Sequence, residues 1–386
     1  MMKRAGVILI VVLAGVLLLV FLHGGKLVPL FFSPQEPPEE ERGLEAVKTG
    51  GENILTTADS LVIPWEIAFL PEGDLLATQR TGELLRIGDG RTAYLVEGVR
   101  HTGEGGLLGM ALHPGFAENR WVYLYLTAAG EGGGLVNRIE RYRLEDDVLS
   151  ERTVIFSKIP GAQFHNGGRM EFGPDGLLYI TTGDAGNPNA AQDVNSLAGK
   201  ILRIGDDGSV PPGNPFGNAV YSFGHRNPQG LVFDDKGRLW STEHGRSGAA
   251  TGFDELNLIE KGKNYGWPVI QGDERREGME TPELHSGPDF TWAPGDVEYI
   301  PGSGFGEEEG SLFFGGLRGE ALYEVPVTKV GLGDLKAHFF QEFGRIRAVR
   351  LGPDGMLYLS TSNRDGRGTV RPGDDRIIRV NPLLFQ

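Results

Sequence analysis

The stretch QFHNGGRMEFGPDGLLYITTGDAGN, Gln163 to Asn187, sets one histidine and one aspartate at the two ends of an apolar run. His165 lies among turn residues ahead of it, and Asp184 follows Leu177, Leu178, Tyr179, Ile180, Thr181 and Thr182 in a Gly-Asp-Ala-Gly turn. An imidazole trades a proton near neutral pH, so a histidine within reach of a carboxylate is equipped for acid–base chemistry. An isolated histidine can equally be a hydrogen-bonded structural residue. Other polar candidates are scattered over turn-rich stretches: Glu104 in GEGGLLGM, Arg226 and Asn227 in GHRNPQG, and Gly245 with Arg246 in STEHGRSG. Further along come Glu255 and Tyr265 in DELNLIEKGKNYGWP, Arg318 in GGLRGE, and Arg345 with Arg347 in GRIR. The alternate spacing of the last two puts both on one face of a strand, and a guanidinium fork suits carboxylates. Read blandly, the same arginines are rim residues in solvent.

Residues so far apart need a repeating scaffold to converge, and the chain contains one. IAFLPEGDLLAT from Ile67, MEFGPDGLLYIT from Met170, LVFDDKGRLWST from Leu231 and VRLGPDGMLYLS from Val349 each read as strand, glycine turn, strand. Gly176 and Gly237 are 61 residues apart, and Gly237 to Gly355 is 118, close to twice that interval. MALHPGFAENRWVYLYLT from Met110 and LFFGGLRGEALYEV from Leu312 read as divergent copies. A period near 60 over residues 52–386 predicts an all-β, six-bladed β-propeller of four-stranded antiparallel blades around a channel. Sixty glycines and 23 prolines supply the turns that so many short strands demand. A double sandwich with coincidental Pro-Asp-Gly turns is the competing fold.

Lys3 and Arg4 precede 18 uncharged residues, Ala5 to Leu22, close to the ~20 that cross a bilayer as a helix. Residues 1–32 therefore read as a signal anchor or signal peptide, and residues 33–51 as an acidic, Pro-rich linker expected to be disordered. No clear small-x-small cleavage site is present, which favours a membrane anchor, and the basic N-terminal flank places the remainder outside the cytoplasm. All 52 acidic residues, but only 34 of the 37 basic ones, lie beyond Phe32, an excess that argues against nucleic acid as a partner. There is no cysteine, so neither disulfides nor a Cys-x-x-Cys-His haem site exists.

SFGHRNPQGLVFD followed by DELNLIEKGKNYGWP is a specific combination, and matching stretches run from IPWEIAFLPEG at Ile63 to GRIRAVRLGPDG at Gly344. On these motifs the chain resembles the soluble quinoprotein aldose (glucose) dehydrogenases, which use pyrroloquinoline quinone (PQQ). The resemblance implies an enzyme oxidising an aldose at its anomeric carbon to a lactone, with His165 as general base and Asp184 orienting it. It implies that Arg226 polarises the quinone carbonyl, that Asn227 bonds the neighbouring oxygen, and that Arg318, Arg345 and Arg347 hold the cofactor's carboxylates. A calcium ion is implied at the carbonyls of Gly245 and Arg246, with Glu255 and the Tyr265 carbonyl as weaker candidates for a second. Glu104 stands where the glucose enzyme has a glutamine near the quinone, and Arg318 where it has a lysine. The glutamate adds negative charge beside an anionic cofactor, which leaves its role open. Substrate preference falls to variable loops such as Glu277 to Asp296, and electrons must leave to a separate carrier, a quinone or a cytochrome. Two other classes compete: an inactive extracellular propeller serving as a binding module, and a calcium-dependent propeller hydrolase. The first predicts loss of the base or the arginines, and the second predicts Asp, Asn and Glu clustered on the axis.

Overall fold

Each repeated turn closes an antiparallel hairpin by the same device. Gly176 donates to Gly173 O and Gly355 to Gly352 O, both at φ near +75°, which glycine adopts without strain. In this computed structural model, Pro34 and residues 36–43, 53–246, 252–302 and 308–385 are described. The hairpins build six antiparallel sheets. Blades 1 to 5 span residues 64–95, 107–161, 170–223, 232–285 and 294–338 in chain order. Blade 6 combines residues 346–380 with the strand Ile54–Ala58, which pairs with Ile377–Val380 in the register Ile54↔Val380. The ring is therefore closed by chain segments from the two ends of the domain.

The strands following the repeated turns, Leu75–Gln79, Leu178–Thr182, Leu239–Glu243 and Leu357–Thr361, are buried at every residue. Both faces of each blade pack on a neighbour, so these strands read as apolar or small-polar runs without alternation. Six apolar clusters result, and each fills one junction between adjacent blades. Tyr123, Tyr125 and Ile139 of blade 2 meet Leu178, Ile180 and Leu202 of blade 3, for example. Truncating one such side chain to alanine costs about 2–5 kcal/mol.

Two expectations need correction. The segment from Leu312 covers the second and third strands of blade 5, Glu308–Gly316 and Leu322–Thr328, whereas the other repeats cover a first and second strand. The first strand of blade 5 is Pro294–Pro301, and it is not joined to the second by a Pro-Asp-Gly turn. The outer strand of that blade is split into Gly331–Leu332 and Lys336–His338, so it has five pieces. Second, part of the expected disordered linker is ordered: Arg42 bridges Ala337 in parallel and Gly43 donates to Ala337 O at 2.7 Å. The expected membrane segment lies outside the described residues, and no helix among those described is long and apolar enough to cross a membrane.

Neighbouring blades touch mainly through their first strands, which line the channel. The channel has a charged floor: buried Arg169 pairs with Glu66 and, at 3.0 Å, with Asp296, while Arg350 reaches Glu66 at 3.0 Å. Because first and second strands are antiparallel, the loop entering a first strand and the loop leaving a second emerge at the same end. That end is where the candidate residues lie.

Candidate active site

Glu104, His165, Arg226, Asn227 and Arg345 all precede first strands, and Asp184, Gly245 and Arg318 all follow second strands. The topology thus gathers residues spread over 242 positions at one mouth of the channel. His165 Nδ1 lies 2.7 Å from Asp184 Oδ1. Asp184 is 1% exposed, and it also accepts Gly186 N at 2.8 Å and Trp267 Nε1 at 2.9 Å. Burial alone would push this carboxyl up, but the bonds from His165, Gly186 and Trp267 hold it below its ordinary value. An ionised Asp184 only accepts, so Nδ1 carries the proton and Nε2 of the neutral ring presents a lone pair. The imidazole is about one-fifth exposed, so that lone pair can meet a substrate.

Arg226 stands beside this dyad. Its backbone oxygen accepts Asp184 N at 2.7 Å, its NH1 donates to His244 O at 3.3 Å, and its guanidinium lies 5.4 Å from the Trp267 ring centroid. Behind it, Glu243 accepts the Arg226 N–H and holds His225 Nδ1 at 2.8 Å, while Ser222 Oγ sits 2.8 Å from His225 Nε2. Asn227 Oδ1 accepts Gly167 N at 3.0 Å, tying the arginine loop to the histidine loop.

Arg345 and Arg347 are not solvent-facing rim residues: they are 3% and 4% exposed. Arg345 donates to Leu317 O at 2.8 Å and to Asp365 at 2.7 Å, so one carboxylate already occupies part of its fork. Arg347 donates to Gln229 Oε1, its Nε is buried without a partner, and burial brings the group down to about 9. The Nε of Arg318 is likewise buried and unpartnered. Burial also lowers Arg80 and Arg226. Buried guanidinium donors left without a partner, as on Arg318 and Arg347, suit a carboxylate-bearing ligand.

Glu104 does not stand there as an uncompensated charge. Its Oε1 meets Arg367 NH1 at 2.8 Å and its Oε2 accepts the His165 N–H at 3.0 Å. Burial opposes ionisation, yet Arg367 and the His165 N–H bring the carboxyl down to about 2.

Gly245 donates to Asp254 Oδ1 at 2.9 Å beside the mouth, and Arg246 is exposed. Glu255 lies directly across from Glu243 in neighbouring strands, and burial together with that carboxylate pushes it up to about 8. Tyr265 stacks on His225, and its hydroxyl donates to Leu258 O at 2.6 Å. Among the described residues no cluster of three or more His, Asp or Glu is arranged to hold a metal.

Sequence reasoning did not single out Arg80, His244, Trp267, Asp365 or Arg367. His244 is buried enough to fall to about 3, and its Nε2 has no partner. A signal for most of them was present: Arg80, His244 and Asp365 each lie just past a second strand, as Asp184 does.

A propeller with this mouth belongs to a recognised class. The chain is a member of the glucose/sorbosone dehydrogenase family, whose sequence profile matches residues 61–378, and as such it is an oxidoreductase acting on sugars. Among individual relatives, it is 33% identical to the aldose sugar dehydrogenase YliI of Escherichia coli, over 81% of this chain and 91% of that one. It is similar to the PQQ-bound form of the aldose sugar dehydrogenase from Streptomyces coelicolor, with 41% identity and a TM-score of 0.76 over 85% of this chain and 96% of that one. It also resembles the quinoprotein glucose dehydrogenase B of Acinetobacter calcoaceticus at 35% identity, over 54% of this chain and 51% of that one.

Proposed function

We propose that this protein is a PQQ-dependent dehydrogenase that oxidises aldoses at the anomeric carbon to lactones. The observation that carries the reading is the His165–Asp184 dyad at the channel mouth, together with two arginines, Arg318 and Arg347, whose buried Nε atoms have no partner. Arg318 and Arg347 offer open donors to a carboxylate-bearing cofactor, and Arg345 shares its fork with Asp365. When bound, PQQ supplies the acceptor for the two electrons and the hydrogen that leave the anomeric carbon as hydride. His165 Nε2 takes the anomeric hydroxyl proton, and Asp184 stabilises the imidazolium so formed. Arg226, flanked by Asp184 and the His244 carbonyl, places fixed positive charge where negative charge grows. Asn227 ties the arginine loop to the histidine loop through Gly167 N, and its amide would bond the cofactor.

Calcium belongs to the same proposal: the carbonyls of Gly245 and Arg246 would hold it, and it would supply Lewis-acid polarisation to the bound cofactor. Glu255, opposed by Glu243, is the carboxylate that a second ion near the Tyr265 carbonyl would serve. Residues 1–32 would anchor the chain, residues 33–51 would link the anchor to the propeller at 52–386, and the propeller would work outside the cytoplasm. Electrons then pass to a separate quinone or cytochrome.

The test is reconstitution of purified protein with PQQ and Ca²⁺, followed by dye reduction with a panel of aldoses. Turnover should require both additions. Equal turnover with NAD and no PQQ would sink the proposal.

A further inference from the structure

The loop carrying Glu104 and the loop carrying the base are clasped at two points. Glu104 N donates to Gln163 O at 2.7 Å, and Glu104 Oε2 accepts His165 N at 3.0 Å. The approach is so close that a Cβ on Gly103 would lie 2.2 Å from the Gln163 oxygen, and Gly103 has φ +56°. His165 itself stands at φ +58°, a left-handed conformation that costs a non-glycine residue roughly 1–3 kcal/mol. An acceptor on its N–H helps to hold it there. Arg367 reaches Glu104 from the opposite end of the chain, off the loop that leaves the second strand of blade 6, and its guanidinium lies 5.9 Å from the Phe164 ring centroid.

We propose that Glu104 and Arg367 form a charge-balanced positioning pair for His165, in which the carboxylate fixes the backbone of the base and the guanidinium cancels the charge the carboxylate brings. This rests on His165 being the base. An uncancelled carboxylate beside an imidazole favours the protonated ring, which cannot accept a proton. The charges around His165 are Asp184 from blade 3, bonded to the ring; Glu104 ahead of blade 2, bonded to the His165 backbone N–H; Arg367 from blade 6, paired with Glu104; and Arg226, which attracts Asp184 electrostatically, while Arg80, Arg226 and Arg347 attract Glu104 without an ion pair to it. His244 from blade 4 also lies near His165 and, held neutral by burial, adds no charge. Glu104 and Arg367 thus supply one balanced pair, and removing either member alone unbalances the site.

The test is NMR titration of the His165 imidazole in the full chain without added cofactor, beside the pH profile of kcat in the reconstituted enzyme. Arg367→Gln should raise the titration midpoint by at least about half a pH unit and move the acid limb of kcat the same way. Glu104→Gln should lower both, the double variant should return within about 0.2 unit of wild type, and Arg367→Lys should leave the midpoint in place. A midpoint unmoved in Arg367→Gln, or a double variant displaced as far as that single one, would overturn the pair. Wild-type enzyme inert toward every aldose would defeat the proposed reaction, while the titrations of the cofactor-free chain would still decide this inference.

Discussion

Asp184→Asn isolates the chemistry of the dyad from its packing. The replacement keeps the side chain's shape but leaves one acceptor oxygen where three N–H groups converge, from His165, Gly186 and Trp267. If the amide oxygen faces His165 and Gly186, the NH₂ points at Trp267 Nε1–H, donor against donor. If it faces Trp267, the NH₂ meets His165 and drives the ring into the tautomer with the proton on Nε2, which cannot act as base. Either way the charge that stabilises the imidazolium is gone. With charge centres ~4 Å apart and an effective dielectric of ~20, that attraction is worth about 4 kcal/mol. When proton transfer is well advanced in the transition state, kcat falls by about 10³-fold. The assay is steady-state dye reduction by the reconstituted variant, with PQQ affinity and thermal midpoint measured alongside. Combining the change with His165→Ala should add little, because the two residues act as a unit. A folded Asp184→Asn enzyme within about threefold of wild-type kcat would refute the reasoning.

The arginines should separate by their partners. Arg318→Ala is expected to weaken PQQ binding about tenfold or more with the melting temperature unchanged, whereas Arg345→Ala leaves Asp365, whose side chain is 2% exposed, unpaired and costs about 3–5 kcal/mol of stability. Equal melting temperatures for the two variants would contradict this. Glu104 has a folded value of about 2 against an ordinary 4.5, so its ionised form stabilises the fold above pH 4.5 and this contribution is lost as pH falls toward 2. Glu104→Gln should therefore cost up to about 3 kcal/mol near neutrality and approach wild type at pH 2, and a stability difference independent of pH in urea titrations would count against the assignment. A chain starting at residue 61 lacks the strand Ile54–Ala58 and leaves blade 6 open, so it should lose its cooperative melting transition, while one starting at Asn53 should keep it.

The repeated hairpins were legible because their signals are local. A glycine that must take a positive φ, a flanking Pro-Asp and a short apolar run all lie within a dozen residues, as at Gly176 and Gly355. The His165 and Arg226 motifs were legible through resemblance, since a family's loop residues keep their order along the chain. The phase of blade 5 is not legible at Leu312, because the Pro294–Pro301 strand is not followed by such a turn and the next hairpin resembles the pattern instead. Closure of the ring by Ile54–Ala58 leaves no trace near either end, for its ladder joins segments more than 300 residues apart. The state of the site was decided at the same range. Whether Glu104 is a burden or a support depends on Arg367, 263 positions away, and whether Arg345 has a free fork depends on Asp365. Local chemistry specifies the strands and the residue types on their connecting loops; which charges end up paired is set only when six blades close into a ring and bring those loops to one mouth.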